Sequence, residues 1–285
     1  RPSFVGIVRG ELFKMSRQRF TWVLGLLLVG MICLPYLGNL NDAIRQVPVQ
    51  AMYLRMGSAF FVLRVYSGIL LILVTARLIG MEYSGGTIRV LLARGVGRVQ
   101  LLGAKLLALS LVALAVFVAG LLLNGVLTVL NLALLFGSLS PLTSLQGSFW
   151  ADTALYGATV LISMGVTILM AAAVTAVTRS LAAGLSIGLG WFPADNIGVI
   201  FFYLAFRLTG SDFWTLVTGD FLGPNLNVMA GWLLPERAHA AAAFAAFNGP
   251  LVLVDGAHTL LIAGIYALVF AVVAFGLTGW RDVTE

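Results

Sequence analysis

Charge is scarce in this chain. Only 10% of its 285 residues are Asp, Glu, Lys or Arg, where a soluble domain carries about 25%. Hydrophobic residues make up 60%, more than a core of this size can hide. A soluble globular protein is therefore excluded, and an integral membrane protein is expected. Cysteine is nearly absent: Cys33 is alone and lies in an apolar run, so no internal disulfide forms and nothing follows about redox compartment. Catalytic signatures are missing too. The nearest approach to a phosphate-cradling loop is Gly97 to Gly103 with Lys105, which has the wrong spacing and no following Ser or Thr. There is no His-Glu-x-x-His, cysteine pair or nucleophile elbow. The sequence thus points to no catalytic residue, no metal and no cofactor in this chain. Nucleic acid is not an expected partner either. The net charge is +6, but the basic residues gather at the ends of apolar runs, where they anchor and orient a membrane protein.

The apolar runs themselves are long. A hydrocarbon core about 30 Å thick needs roughly 20 apolar residues in a helix. Six stretches qualify, near 20–38, 57–80, 106–136, 153–178, 181–206 and 254–280. They are continuous, without period-two alternation, so helices are expected and barrel strands are not. The third is longer than a bilayer requires and should tilt or project. The first has no following cleavage site of small residues, so it reads as a span rather than a secretion signal. The fold class expected is an all-α membrane protein with one transmembrane domain over 1–285. Placing both termini in the cytoplasm puts twelve Lys and Arg on that side and four (Arg45, Arg55, Arg207 and Arg237) on the other, with Arg64 inside a span. That imbalance sets the orientation.

Three segments outside the spans are distinctive. In 2–18, Phe4, Ile7, Val8, Leu12 and Met15 recur at helical spacing among Arg9, Glu11, Lys14 and Arg17, the pattern of a helix lying on the inner membrane surface. A plain basic anchor is the simpler alternative. Residues 81–105 form a polar, basic island between two apolar runs and contain Glu82, Thr87, Arg89, Arg94, Arg98 and Lys105. Such charge density cannot sit in lipid, and Ile88, Leu91, Leu92, Val99 and Leu102 keep a helical rhythm. Short helices at the membrane surface are expected there. The far segment 207–253 is long but apolar, with Trp214 and Trp232 suited to an interface. It reads as short helices that dip into the outer leaflet.

Polar residues within the apolar runs are candidates for function, because an intramembrane ion is costly. Arg64 and Asp195 are the two ionic ones. At about 1.5 Å per residue, they lie roughly 7 Å and 2 Å outward of their spans' centres, within an arginine's reach of one another. Two readings stand: a buried structural pair, or groups that line a translocation cavity. Asn124 and Asn131 fall seven apart on one helical face and are expected to bond between helices. Gly184 and Gly188 allow close helix approach. Asp255 and His258 start the last span, and with His239 they pose a choice between a metal or proton site and an ordinary helix cap.

Taken together, these residues resemble a family. A six-span chain has a basic amphipathic N-terminal helix and both ends inside. Its second span leads into Glu-x-x-x-Gly-Thr-x-Arg (Glu82, Gly86, Thr87, Arg89), then Leu-Leu-Ala-Arg (Leu91 to Arg94), Arg98 and Lys105. This is similar to the permease subunit of ATP-binding-cassette exporters of the second type. Gly95-Val96-Gly97 stands where that family often has a proline-containing turn. The resemblance implies export across a prokaryotic plasma membrane, a second permease chain (homo- or heterodimer), and two copies of a separate ATPase that carries ATP and Mg. It also implies that the loop between spans two and three docks on that ATPase through Glu82, Gly86, Thr87, Arg89, Leu91, Leu92, Arg94 and Arg98. A self-contained secondary transporter or channel is the rival of another class, but it would need more intramembrane ionic groups and an internal repeat. An intramembrane enzyme lacks a constellation. A permease-like subunit that passes ATPase motion to an external partner is not separable from an exporter by sequence.

Overall fold

The computed structural model describes residues 3–38, 41–85, 95–243 and 249–280. Among the described residues every regular element is a helix. That follows from the continuous apolar runs, since in lipid each backbone N–H and C=O must find its partner within its own segment. Helix α1 (Phe4–Arg17) starts at Ser3, whose hydroxyl accepts from the Gly6 N–H at 3.1 Å. The chain turns at Gln18 and crosses as α2 (Arg19–Cys33). A short α3 (Asn41–Gln46) leads into α4 (Pro48–Ser84), which opens with proline in its first turn. α5 (Arg98–Asn131) returns and ends in a π-helical turn over Leu132–Phe136. The short α6 (Ser140–Thr143) precedes α7 (Gly147–Thr178) and α8 (Leu181–Thr209). Three short helices follow, α9 (Phe213–Val217), α10 (Leu222–Leu233) and α11 (His239–Ala242), before α12 (Gly256–Trp280).

Among the described residues five helices are long and apolar enough to span a membrane, and α8 makes a sixth when its halves Leu181–Trp191 and Pro193–Thr209, bent by 42°, are taken as one span. Pro193 lacks the N–H that would continue the ladder and its ring crowds the preceding turn, which accounts for the bend. Alternating passes leave α1, the end of α4, the start of α5, the α7–α8 turn and the end of α12 at one end of the bundle. A Cβ on Gly279 would touch Val99, and one on Gly80 would strike the Leu181 backbone. This end is called basal here, and the other distal.

The centre of the bundle is α4 with α7. In their apolar windows 61% and 67% of residues are buried, against 17% for α2 and α12, which therefore face outward. Small residues set the closest approaches. A Cβ on Gly57 would fall 1.9 Å from the Ala241 carbonyl oxygen, so α11 seats directly on the α4 backbone. Gly184 meets Thr175 and Gly188 meets Ile72 in the same manner.

The helices extend past the expected spans. α4 starts at Pro48, nine residues before 57, and α5 starts at Arg98 rather than 106. Arg55, expected in the far loop, therefore sits inside α4 and is 3% exposed. Hydropathy marks where side chains leave water, whereas a helix can continue for turns beyond that point by packing on its neighbours. The segment 207–253 is likewise shorter than expected at its start, because α8 runs on to Thr209.

Candidate functional site

Both lysines of the chain, Lys14 and Lys105, meet at the basal end. Lys105, in the second turn of α5, points toward α1 and the end of α4 and is 2% exposed. Its Nζ donates to Glu82 Oε1 at 2.7 Å, to Glu11 Oε1 at 2.9 Å and to the Leu78 carbonyl at 3.2 Å. All three donor positions of the ammonium are thus used. Lys14 adds a second cation, 3.3 Å from Glu82 Oε1 and 3.9 Å from Glu11 Oε2. Two carboxylates and two ammoniums therefore close a neutral network. Buried charge is tolerable only when paired and hydrogen-bonded in this way. Apolar packing surrounds it: Val8 and Met15 of α1, Leu78 and Ile79 of α4, and Leu102 and Leu106 of α5 are buried in the same core. The network fixes three elements at the two ends of the loop that joins α4 to α5.

Of the residues expected in that loop's docking surface, Gly86, Thr87, Arg89, Leu91, Leu92 and Arg94 lie outside the described residues. Glu82 is buried at 4% exposure and faces inward to Lys105, while Arg98 opens α5. Glu11 and Lys105 were visible in the sequence only as members of a surface pattern and a basic island. The signal that joins them is that a lysine and a glutamate each fall on the apolar stripe of their own helix.

A second polar group lies within the bundle. Arg64 of α4 donates from Nη2 to Asn227 Oδ1 at 2.6 Å, and Asn227 Nδ2 donates to Asn196 Oδ1 at 2.6 Å. Asp195 Oδ2 accepts from the Gly223 N–H at the start of α10. A carboxylate at a helix N-terminus meets both unpaired N–H groups and the positive end of the dipole. Arg64, Asp195, Asn196, Asn227, Ser163 and Thr167 line one cavity of about 30 Å³, room for a water or two. Arg64 and Asp195 thus share a cavity without forming an ion pair among the described residues; each has its own partner on α10. Asn225 and Asn227 carry no signal in the sequence, because they stand among the apolar residues that dominate the far segment.

A third set of polar contacts is distal. Asn124 and Asn131 of α5 both accept bonds from other helices: Tyr36 OH donates to Asn124 Oδ1 at 3.1 Å, and Arg55 Nη2 donates to Asn131 Oδ1 at 3.2 Å. Arg55 also donates to the Pro35 carbonyl at 2.6 Å and lies over the Tyr36 ring. Asp152, the only acid between Glu82 and Asp195, is 3% exposed. It accepts Tyr53 OH at 2.6 Å and a two-pronged contact from Arg237, both prongs at 2.9 Å. That hydrogen bond raises the Arg237 guanidinium above its ordinary range. Asp255 caps α12 by accepting from the His258 N–H at 2.7 Å, and His258 Nε2 lies 2.9 Å from the Gly219 carbonyl. Among the described residues no group of three or more metal-binding side chains forms, so Asp255, His258 and His239 do not assemble a metal site there.

Residues 7–192 match the family described as ABC-2 family transporter protein. The chain belongs to the ABC-2 transporter family. It is a multi-pass membrane permease of the ABC-transporter type. No curated protein matches it. The ABC-2 match takes in Glu11, Glu82 and Lys105 together and stops at the α8 bend, leaving Asp195, α9 to α11 and α12 outside.

Proposed function

We propose that this ABC-2 permease is the membrane subunit of an exporter in a prokaryotic plasma membrane, with both termini cytoplasmic, and that a separate ATPase drives it. Two ATPase copies and a second permease chain complete the transporter. The observation that carries the reading is the buried Glu11–Lys105–Glu82 network with Lys14 at the two ends of the α4–α5 loop. A loop whose flanks are locked to one another and to α1 passes a push on to two central spans rather than absorbing it locally. Bistable packed elements, not flexible linkers, carry such motion. ATP and Mg sit on the ATPase, since this chain has no phosphate loop.

In this reading α1, the end of α4 and the start of α5 move as one body when the ATPase closes. Displacement of α4 reaches Arg64 and Asn227, and through them α10. α10 then separates from α8, where Asp195 and Asn196 hold it. Lys105→Met tests this in the assembled transporter. ATP hydrolysis should persist while its coupling to transport is lost. Unchanged coupling, or robust nucleotide hydrolysis by the chain purified alone, would sink the proposal. A subunit that relays motion to an external partner predicts the same coupling defect without any transported substrate, and reconstitution in vesicles separates the two.

A further inference from the structure

At the distal end an open groove of about 400 Å³ runs between α8, α10 and the irregular segment that leads into α12. Val199, Ile200, Tyr203, Val228 and Trp232 line it together with residues 249–254. We propose that this groove is a binding site for one phospholipid of the distal leaflet, with an acyl chain in the groove and the phosphate at Arg207. The proposal does not depend on how the transporter is driven.

Depth is the first argument. Val199 and Tyr203 lie 18 and 22 residues beyond the basal start of α8, about 27 and 33 Å along the helical path; the 42° bend shortens the depth across the membrane, which brings both close to the outer edge of a hydrocarbon core about 30 Å thick. The groove therefore straddles the outer edge of the core, where an acyl chain gives way to a headgroup. Its aromatic lining, Tyr203 and Trp232, is of the type that prefers that boundary. Charge is the second argument. Val199, Tyr203 and Arg207 are spaced four apart on one face of α8, so the exposed Arg207 stands one turn outward of the groove. An apolar slot with a cation at its outer mouth complements an amphiphile with an anionic head. The third argument is that the slot is preformed. The Leu251 N–H donates to Thr218 Oγ1 at 2.9 Å, and Gly249 lies so close to Val228 that a Cβ there would be 2.6 Å from its methyl group. Leu253 on the rim is 93% exposed, an apolar side chain that a lipid would cover.

The test uses the full chain in nanodiscs containing phosphatidylglycerol with a photoreactive diazirine on one acyl chain. Labelled peptides are mapped by mass spectrometry. The exposed Leu260 and Leu261 at the distal start of α12 serve as an internal reference for ordinary annular lipid. Labelling of 199–203, 228–232 and 250–254 should exceed the reference several-fold and saturate as the probe fraction rises. Filling the groove with Ile200→Trp and Val228→Phe should lower it to the reference. Arg207→Gln should lower it for the phosphatidylglycerol probe but not for a diacylglycerol probe. Labelling equal to the reference in the unaltered protein overturns the proposal without relying on any variant. So does a cross-link from Leu253→Cys to a second copy, in a background where Cys33 is serine, because protein would then cover the groove.

Discussion

Lys105 has no route back to water: it is 2% exposed and its three protons are spent on Glu82, Glu11 and the Leu78 carbonyl. Breaking a buried pair by removing one partner costs about 3–5 kcal/mol. Lys105→Met should therefore lower the thermal midpoint of the purified chain markedly. Adding Glu11→Gln and Glu82→Gln to it should restore part of the loss, because no unpaired charge is then buried. If the triple change is no better than the single one, packing rather than charge holds the junction. Arg64 supports a second prediction. Its partner is Asn227, not Asp195, so a double-mutant cycle of Arg64→Met with Asn227→Leu should show a coupling of about 0.5–3 kcal/mol. The cycle with Asp195→Leu should show less, and a reversed order would restore the direct pair expected from their depths. Gly57 is a third case: Gly57→Ala drives a methyl into the Ala241 carbonyl and should destabilise by about 1–3 kcal/mol as an overpacked contact, while Gly10→Ala, which meets nothing within 4 Å, should not.

At the scale of elements, the bend of α8 is the most consequential. Pro193→Ala removes its cause and should straighten the helix. The distal half would then draw Asp195 from Gly223 and Asn196 from Asn227. Amide exchange across 222–233 should quicken by about tenfold, the equivalent of about 1.4 kcal/mol, and unchanged exchange would mean that α10 is held by apolar packing alone. The elements themselves were largely legible, because the membrane makes hydropathy a nearly complete guide to where helices cross. The ends were less so: Pro48 to Met56 carry Gln50 and Arg55 and read as loop, yet α4 needs them to reach Asn131, Arg237 and Pro35. Site residues were legible when an ion stood alone in an apolar run, as Arg64 and Asp195 do. Glu11 and Lys105 were hidden because each has charged neighbours in sequence, and only the packing of α1 on α5 shows which of those charges turns inward. Asp152 was hidden by its place at the edge of a span, where an acid reads as a boundary.

For the whole molecule, the distribution of polar contacts separates two working ends. Among the described residues the basal end is closed by ions, and the distal end by amides, an arginine–aspartate contact and a helix terminus. High salt should therefore act unequally. Arg237, half exposed, is open to screening, while Lys105 is shielded. Replacing Leu91 and Leu92 by Asp in the assembled transporter should uncouple hydrolysis from transport, with assembly measured by co-purification of the ATPase. If assembly and transport are both unchanged, the loop is only a topological anchor.

The pairing of the two lysines also gives the protein a built-in chemical gauge. Within these 285 residues an acylating reagent finds two lysine amines, Lys14 and Lys105. Lys14 keeps 37% of its side chain accessible and should react readily, while Lys105 at 3% should not. Only a movement that parts α1 from α5 would expose the second amine. The ratio of the two labelled peptides would then show, without any engineered probe, whether the basal junction stays shut, as a junction that moves in one piece should.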